Sequence, residues 1–384
     1  MRLVVGCIAL AACGRLDFAT VAVDASADSP DAFVDPSLLA QVVAGGQSTY
    51  ARNGNGVMWA WGDGGDGGVG DGSGLDRPSP VRIGISDARS IEANDGGALV
   101  ITASGELVGW GPNTGRQLGD ASSSPQLSPI TVPSAPIMSA TMGNQQLCVL
   151  YTDRTVGCAG IARYLGDGGV TDRSTLGPVP GVTHVIQLIA SDDFTCARLL
   201  DGSVTCWGDN TYGQLGGSFP SFSFEPTLTA AGPYVEITVG DAHVCGRRDT
   251  GAVECWGRNT NGEYGDGTTN GGSTPTASTV TDAIALAGFA AGTCAIRADR
   301  TVACWGGNDN DELALDHNAT TFLPTPVKIP GLENIVAISS RTDLHICAID
   351  ANAQLYCWGD DLNGQVGDNN PGGAQTTPTR ITLP

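Results

Sequence analysis

Positive charge is scarce in this sequence. Its 384 residues include only 19 Lys and Arg against 40 Asp and Glu, which gives a formal net charge of −21. A surface of that sign repels phosphate backbones and anionic lipid headgroups, so we expect no nucleic acid partner. Charged residues of both signs make up only 15% of the chain, and aromatic residues only 6%.

Long apolar runs are also lacking beyond the N-terminus. No stretch is long and apolar enough to predict a membrane-spanning helix. Glycine and proline are abundant instead, with 55 and 21 copies, and they favour short strands joined by turns. Because hydrophobic residues still make up 41% of the chain, we expect a substantial core rather than disorder.

The N-terminus has the pattern of an export signal. In MRLVVGCIALAAC, one arginine precedes an apolar run and small residues that end at Cys13. The Leu-Ala-Ala-Cys ending resembles the lipobox of bacterial lipoproteins, so we expect residues 1–12 to be a signal peptide and Cys13 to be lipidated. The alternative is an ordinary cleaved signal with an unmodified cysteine. Residues 13–36 carry five Asp and little apolar periodicity, which predicts a flexible acidic tether.

Ten cysteines recur at a fixed spacing. Setting aside Cys7 and Cys13, they form five pairs whose members lie ten positions apart, and successive pairs begin 48, 49, 49 and 53 residues apart. A period near 50 residues indicates a propeller or a solenoid. An exported chain favours disulfides, with a zinc site as the alternative, although zinc ligands usually come as closely spaced pairs gathered in fours. The predicted disulfides are Cys148–Cys158, Cys196–Cys206, Cys245–Cys255, Cys294–Cys304 and Cys347–Cys357.

The dipeptide Trp-Gly marks the same period. It occurs at positions 61, 110, 207, 256, 305 and 358, and Ala159 stands where a further tryptophan would fall. The sequence therefore contains seven units of about 49 residues, which span residues 37–384.

Each unit contains a predicted β-hairpin. In the fourth unit, Cys196 facing Cys206 leaves a three-residue loop in which Gly202 stands where a positive φ is needed. Gly56, Gly105 and Gly251 stand at the same place in other units. Facing Cα atoms at a non-hydrogen-bonded pair lie about 4.5 Å apart, which suits a disulfide.

A glycine-rich segment follows each Trp-Gly position. The first one, DGGDGGVGDG, carries Asp63, Asp66 and Asp71, which would suit a calcium ion if the segment stood alone. Elsewhere the common form is x-Asn-x-x-Gly-Gln-Leu-Gly-Asp-Gly. We therefore interpret the segment as a connecting loop, with a weak calcium site as the alternative, and expect no metal or cofactor.

Two histidines could be mistaken for metal ligands. His243 and His345 lie two positions before a cysteine, but Phe194 and Gly292 occupy the same register in other units. A position that accepts Phe, Gly and His is typical of packing, so we interpret both histidines as packing residues.

The repeated pattern, with its hairpin and segments such as CWGDNTYGQLG, resembles the regulator of chromosome condensation repeat family. The resemblance covers about residues 38–384; the fourth, fifth and seventh units match well, whereas the third and sixth depart at Ala159 and at DELALD. It implies an all-β fold, a seven-bladed β-propeller with four-stranded blades.

An acidic, exported chain is similar to the exported bacterial branch of that family rather than to its nuclear founding member. The resemblance implies a monomeric cell-surface or periplasmic module that binds a protein or a glycan and touches the membrane only through its lipid. The alternatives are a propeller enzyme of the lyase or glycosidase type and a purely structural envelope protein. We expect no enzyme, because no recurring acid–base pair can be placed on the segments predicted to line the central channel.

Two further expectations concern particular segments. Phe219, Phe222 and Phe224 lie within six residues in the fourth unit and are candidate binding residues on a loop; the alternative is an outer strand packed on a neighbouring blade. The C-terminal segment TPTRITLP is predicted to complete a blade with the first unit and so to close the ring.

Overall fold

The computed structural model describes residues 37–94, 96–217, 220–230, 232–341 and 344–384. The predicted signal peptide, Cys13 and the tether lie outside the described residues. The described chain forms seven sheets of four antiparallel strands, each from one contiguous stretch of chain. The first strands of successive sheets contact one another, and the seventh contacts the first. The predicted seven-bladed propeller is therefore confirmed.

Each blade contributes four strands, numbered from the central channel outwards. The first four blades contain β1 (Leu39–Gly45), β2 (Ser48–Asn53), β3 (Met58–Gly62), β4 (Arg77–Arg82); β5 (Ala88–Asn94), β6 (Gly97–Thr102), β7 (Leu107–Gly111), β8 (Gln126–Val132); β9 (Ile137–Met142), β10 (Gln146–Tyr151), β11 (Val156–Gly160), β12 (Arg173–Pro178); β13 (Val185–Ala190), β14 (Phe194–Leu199), β15 (Val204–Asp209) and β16 (Phe222–Ala230). The last three contain β17 (Glu236–Val239), β18 (His243–Arg247), β19 (Val253–Gly257), β20 (Gly272–Ala277); β21 (Ala283–Phe289), β22 (Gly292–Arg297), β23 (Val302–Gly307), β24 (Phe322–Lys328); β25 (Ile335–Ser339), β26 (His345–Asp350), β27 (Leu355–Gly359) and β28 (Gln375–Ile381). Short 3-10 turns lie at Gly65–Gly67 and Ala162–Tyr164.

The two ends of the propeller carry different connections. One end, here called the loop face, carries the tight turns between first and second strands and the seven long loops between third and fourth strands. Those loops span residues 63–76, 112–125, 161–172, 210–221, 258–271, 308–321 and 360–374. The other end, here called the turn face, carries the turns between second and third strands and the segments that join successive blades.

Disulfides join the second and third strands in five blades. The two cysteines of each predicted pair face each other in the strand register, as Cys196 faces Cys206, and form a disulfide. Their Cα atoms lie 4.0 to 4.1 Å apart in all five bridges. At this register blade 1 has Tyr50 opposite Ala60, and blade 2 has Leu99 opposite Gly109. In these two blades, side-chain packing takes the place of the disulfide between the second and third strands.

The repeated tryptophan joins each blade to the one before it. The indole Nε1–H of Trp110 donates to Gly68 O at 3.1 Å, and that of Trp256 donates to Gln214 O at 3.0 Å. The acceptor always lies in the long loop of the preceding blade; the other donors are Trp61, Trp207, Trp305 and Trp358. All six tryptophans are fully buried, so each bond is made inside the core that separates two blades.

The expectation about ring closure was wrong. β28 pairs with β27 and completes the seventh blade, whereas the first blade is complete within residues 39–82. In every unit the outer strand follows the long loop of the same unit, so β4, which follows the first long loop, belongs to blade 1. The ring closes by contacts between blades: Trp61 donates to Gln365 O at 2.9 Å, and a cluster that includes Val42, Ile349 and Val366 is buried at this seam.

Candidate functional site

The first strands line the central channel, and their polar side chains bond the next blade. Gln41 Nε2 donates to Ile91 O at 2.8 Å, and Gln41 Oε1 accepts from Ile91 N–H at 3.1 Å. Gln187 makes the same two bonds to blade 5. Glu236, at the same register, accepts from Leu286 N–H at 3.1 Å. Each side chain therefore forms hydrogen bonds with backbone groups on the exposed edge of the next blade's inner strand, which faces the channel.

A small cavity lies on the propeller axis. It measures about 60 Å³, and its lining includes Glu92, Glu236 and Arg341. Arg341 of blade 7 donates to Glu92 of blade 2 across the axis. Burial raises the pKa of Glu92 to about 7, although Arg341 acts to lower it. The volume has room for roughly four water molecules, whereas pockets for small-molecule ligands measure about 300–1,000 Å³. The axial cavity is therefore several times smaller than such pockets.

Carboxylates surround the loop-face end of the channel. Asp193 accepts from the Tyr164 hydroxyl at 2.5 Å, and Asp192 accepts from Asn94 Nδ2 at 2.9 Å. Asp241 lies 3.8 Å from the Arg258 guanidinium. Burial raises the pKa of Asp241 to about 6, against the effect of Arg258. This end of the channel is acidic, and its three carboxylates come from blades 4 and 5.

An aromatic patch lies on the loop face between blades 3 and 4. We define it as Arg163, Tyr164, Phe222 and Phe224. The ring centroids of Tyr164 and Phe222 are 6.3 Å apart, and those of Phe222 and Phe224 are 4.9 Å apart. The Arg163 guanidinium lies 5.5 Å from the Phe222 ring centroid. Phe224 is 41% exposed, and Leu228 on the same strand is 64% exposed.

The structure places two of the three candidate phenylalanines. Phe222 and Phe224 lie on β16, the outer strand of blade 4, rather than on a loop, and Phe222 contacts Tyr164 of blade 3. Phe219 lies outside the described residues. Tyr164 and Arg163 were missed in the sequence, because the third unit has lost its tryptophan and its loop, IARYLGDGGV, departs from the common form.

The two histidines lie between blades. His243 Nε2 is 3.0 Å from Thr293 Oγ1 of blade 6, and His345 Nε2 is 2.6 Å from Thr49 Oγ1 of blade 1. Burial lowers the pKa of His243 to about 3 and that of His345 to about 4. Both imidazoles are therefore neutral near pH 7, and their contacts are those of packing residues.

The aspartates of the first loop form hydrogen bonds within turns. Asp63 Oδ1 accepts from Gly65 N–H at 2.6 Å, and Asp71 Oδ1 accepts from Ser73 N–H at 2.9 Å. The other oxygen of Asp71 pairs with Arg77 at 2.6 Å. These bonds hold the loop that reaches the second blade, as a connecting loop requires.

One group of side chains in the described ranges has the spacing of metal ligands. Asp311, Asp316 and His317 have candidate ligand atoms within 4.8 Å of one another. Asp311 Oδ1 accepts from the backbone N–H of His317 at 2.6 Å and lies 2.9 Å from its Nδ1. These hydrogen bonds account for the arrangement without an ion.

The fold and its loops define a seven-bladed propeller built from one repeated unit, and comparison with known proteins identifies the unit. Residues 185–214, 234–263 and 335–365 match the model of the regulator of chromosome condensation (RCC1) repeat. These segments lie in blades 4, 5 and 7, the units that fit the common sequence best. Three of the seven units therefore match RCC1-type repeats.

Two curated relatives share part of the chain. The human E3 ubiquitin-protein ligase HERC2 is 31% identical over 191 residues, which are 46% of this chain and 4% of that protein. The ultraviolet-B receptor UVR8 of Arabidopsis thaliana is 28% identical over 195 residues, which are 48% of this chain and 44% of the receptor. The chain thus matches less than half the length of either relative.

Solved structures share the fold. Human WBSCR16 has a TM-score of 0.72 at 19% identity, over 80% of this chain and 86% of that chain. Yeast RCC1 (Prp20), in its structure with Kap60, has a TM-score of 0.55 at 20% identity, over 90% of this chain and 75% of that chain. Among the described residues, no helix is both long and apolar enough to cross a membrane.

Proposed function

We propose that this protein is an exported binding module whose loop face holds a protein ligand. The aromatic patch carries the proposal, because it places the exposed side chains of Phe224 and Arg163 at a boundary between blades on an acidic face. Arginine is enriched among the residues that dominate binding energy at protein interfaces, and an exposed apolar side chain beside it favours such a contact. RCC1 repeats in a relative named as a receptor, and in a structure solved with a second protein, support a binding role.

The charge of the two faces supports the choice of the loop face. Its seven long loops contain 16 Asp and Glu residues against three Arg residues, Arg116, Arg163 and Arg258. The connections of the turn face contain eight acidic residues against three arginines. Such an asymmetry steers a basic partner towards the loop face and makes its association rate sensitive to salt.

The disulfides and the axial cavity support the location and the class of function. Five buried disulfides suit a chain that folds in an oxidising compartment, in keeping with the predicted export and the lipid anchor at Cys13. An axial cavity of about 60 Å³ supports a binding module over a propeller enzyme with a central site. The proposed location is the bacterial envelope.

Affinity capture from the envelope and culture supernatant of the source organism tests the proposal. Phe224→Ala should weaken capture of a basic partner at least tenfold while the melting temperature changes little, because Phe224 is 41% exposed. Leu228→Ala is the matched control, since it removes an exposed apolar side chain from the same strand, farther from the loop face. Equal capture by wild type and both variants would contradict the proposed surface.

A further inference from the structure

Four long loops on the loop face share an asparagine with a fixed hydrogen-bonding pattern. The asparagine Oδ1 accepts from the backbone N–H five residues later at 2.8 to 3.0 Å. Its Nδ2 donates to backbone carbonyl oxygens in the second half of the loop at 2.8 to 3.2 Å. The four residues are Asn113, Asn210, Asn259 and Asn308. In all four loops the side chain must therefore be an acceptor on one atom and a donor on the other.

Blade 7 has Asp361 at this position. Asp361 Oδ1 accepts from Val366 N–H at 2.9 Å, which reproduces the first half of the asparagine pattern. The residue is fully buried, and its Oδ2 has no hydrogen-bond partner in the described part of the chain. An ionised carboxylate only accepts hydrogen bonds, whereas a protonated carboxyl also donates one. A buried charge without a partner is costly, so the ionised form does not suit this place.

We propose that Asp361 carries a proton in the folded protein, so that its Oδ2–H replaces the donor that asparagine supplies in the other loops. The side chain then offers an acceptor on Oδ1 and a donor on Oδ2, as asparagine does. The loop of blade 7 becomes sensitive to pH at this position, where the asparagines of the other loops do not titrate.

The surroundings of Asp361 favour the protonated form. Burial has the largest effect, and the negative charges of Asp368 and Asp360 add to it, whereas the hydrogen bond from Val366 N–H and the nearby Gln375 side chain, whose amide does not reach hydrogen-bonding geometry with Oδ2, oppose it. Together they raise the pKa of Asp361 to about 7. Because this value lies above that of an unfolded aspartate, the folded state binds more protons. The resulting stability is fully present below about pH 4, where an unfolded aspartate is also protonated, and is lost progressively as the pH rises from there to about 7.

The blade 7 loop holds the seam at which the ring closes. Asn369 N–H donates to Pro78 O of blade 1 at 2.8 Å. Gln365 O accepts from Trp61 Nε1 at 2.9 Å and from Thr49 Oγ1 at 2.7 Å. No peptide segment in the described chain links blade 7 to blade 1, so these contacts hold the seam. Ionisation of Asp361 would therefore loosen the ring at its one non-covalent junction.

The test compares wild type with Asp361→Asn between pH 4 and pH 8. Asparagine supplies the donor at every pH, so the two proteins should melt at similar temperatures at pH 4, and wild type should melt a few degrees lower at pH 8. Asn210→Asp, made in the Asp361→Asn background, should transfer this pH dependence to blade 4. Other titrating groups cancel in each comparison.

A spectroscopic readout on the wild-type protein covers the case in which a variant folds poorly. With ¹³C-labelled aspartate, one carboxyl resonance should titrate near pH 7, and it should be missing from Asp361→Asn. A constant difference in melting temperature across the pH range, together with no such resonance, would overturn the proposal. Calcium chloride that stabilises wild type at pH 8 but not Asp361→Asn would also overturn it, because a cation would then take the place of the proton.

Discussion

Replacement of one loop glycine measures how strongly the tryptophans lock neighbouring blades together. Gly166, in the long loop of blade 3, has a φ of +70°, and a Cβ built there would lie 2.8 Å from Trp207 Nε1 of blade 4. Trp207 donates to Tyr164 O at 3.0 Å and is fully buried, so the indole has little room to move. Gly166→Ala should therefore force the loop and the indole apart.

The cost has two parts, and the chain offers a control that separates them. A non-glycine residue in the left-handed region costs about 1–2 kcal/mol, and overpacking a filled core costs about 1–3 kcal/mol more. Gly119 stands at the same place in the loop of blade 2, with a φ of +67°, but the nearest atom to its built Cβ is Val132 Cγ1 at 3.6 Å. The next blade has Ala159 at the tryptophan register. Gly119→Ala should therefore incur only the backbone cost.

Urea unfolding of the oxidised proteins, followed by circular dichroism, gives the two free energies of unfolding. We expect Gly166→Ala to lose about 1–3 kcal/mol more than Gly119→Ala, which is the part due to the indole contact. Equal losses in the two variants would refute the reasoning, because the tryptophan would then contribute nothing to the sensitivity of the loop.

Two further predictions concern acid stability and processing. Because His243 and His345 have folded pKa values of about 3 and 4, the unfolded state binds more protons below pH 6.5, and the free energy of unfolding should fall by roughly 2 kcal/mol per histidine at pH 5. His243→Gln and His345→Gln should reduce this loss in melting curves recorded from pH 4 to pH 7. An unchanged dependence on pH would contradict the prediction. Cys13→Ala should release the protein from the membrane fraction or leave the signal uncleaved, as judged by fractionation and mass spectrometry, and membrane partition with an unmodified Cys13 in wild type would contradict the predicted anchor.

The features that recur from unit to unit could be predicted from the sequence. The strand at which a unit begins, and the contacts between distant units, could not. Cysteine spacing and the Trp-Gly register gave seven units, the facing cysteine pairs and the turn glycines, because each is a local property seen several times. The C-terminal strand was misassigned because a period does not say which strand begins a unit. The ion pair between Glu92 and Arg341 joins residues 249 positions apart, and neither recurs at its register, so no pattern in the chain indicated it.

The repeats also explain why some buried charges are tolerated. At the glutamine position of the long loop, Gln214 donates to Asp209 at 2.6 Å in blade 4, whereas Glu263 accepts from Arg258 at 2.8 Å in blade 5. Donor and acceptor have exchanged places, and the bond is kept. Blade 6 has Glu312 here with a glycine at the partner's position, and burial raises the pKa of Glu312 to about 7. Glu312 and Asp361 thus share one feature: each is a buried carboxyl where other units have an amide, and burial raises the pKa of each to about 7, so we expect the loops of blades 6 and 7 to contribute to the pH dependence of stability near neutrality.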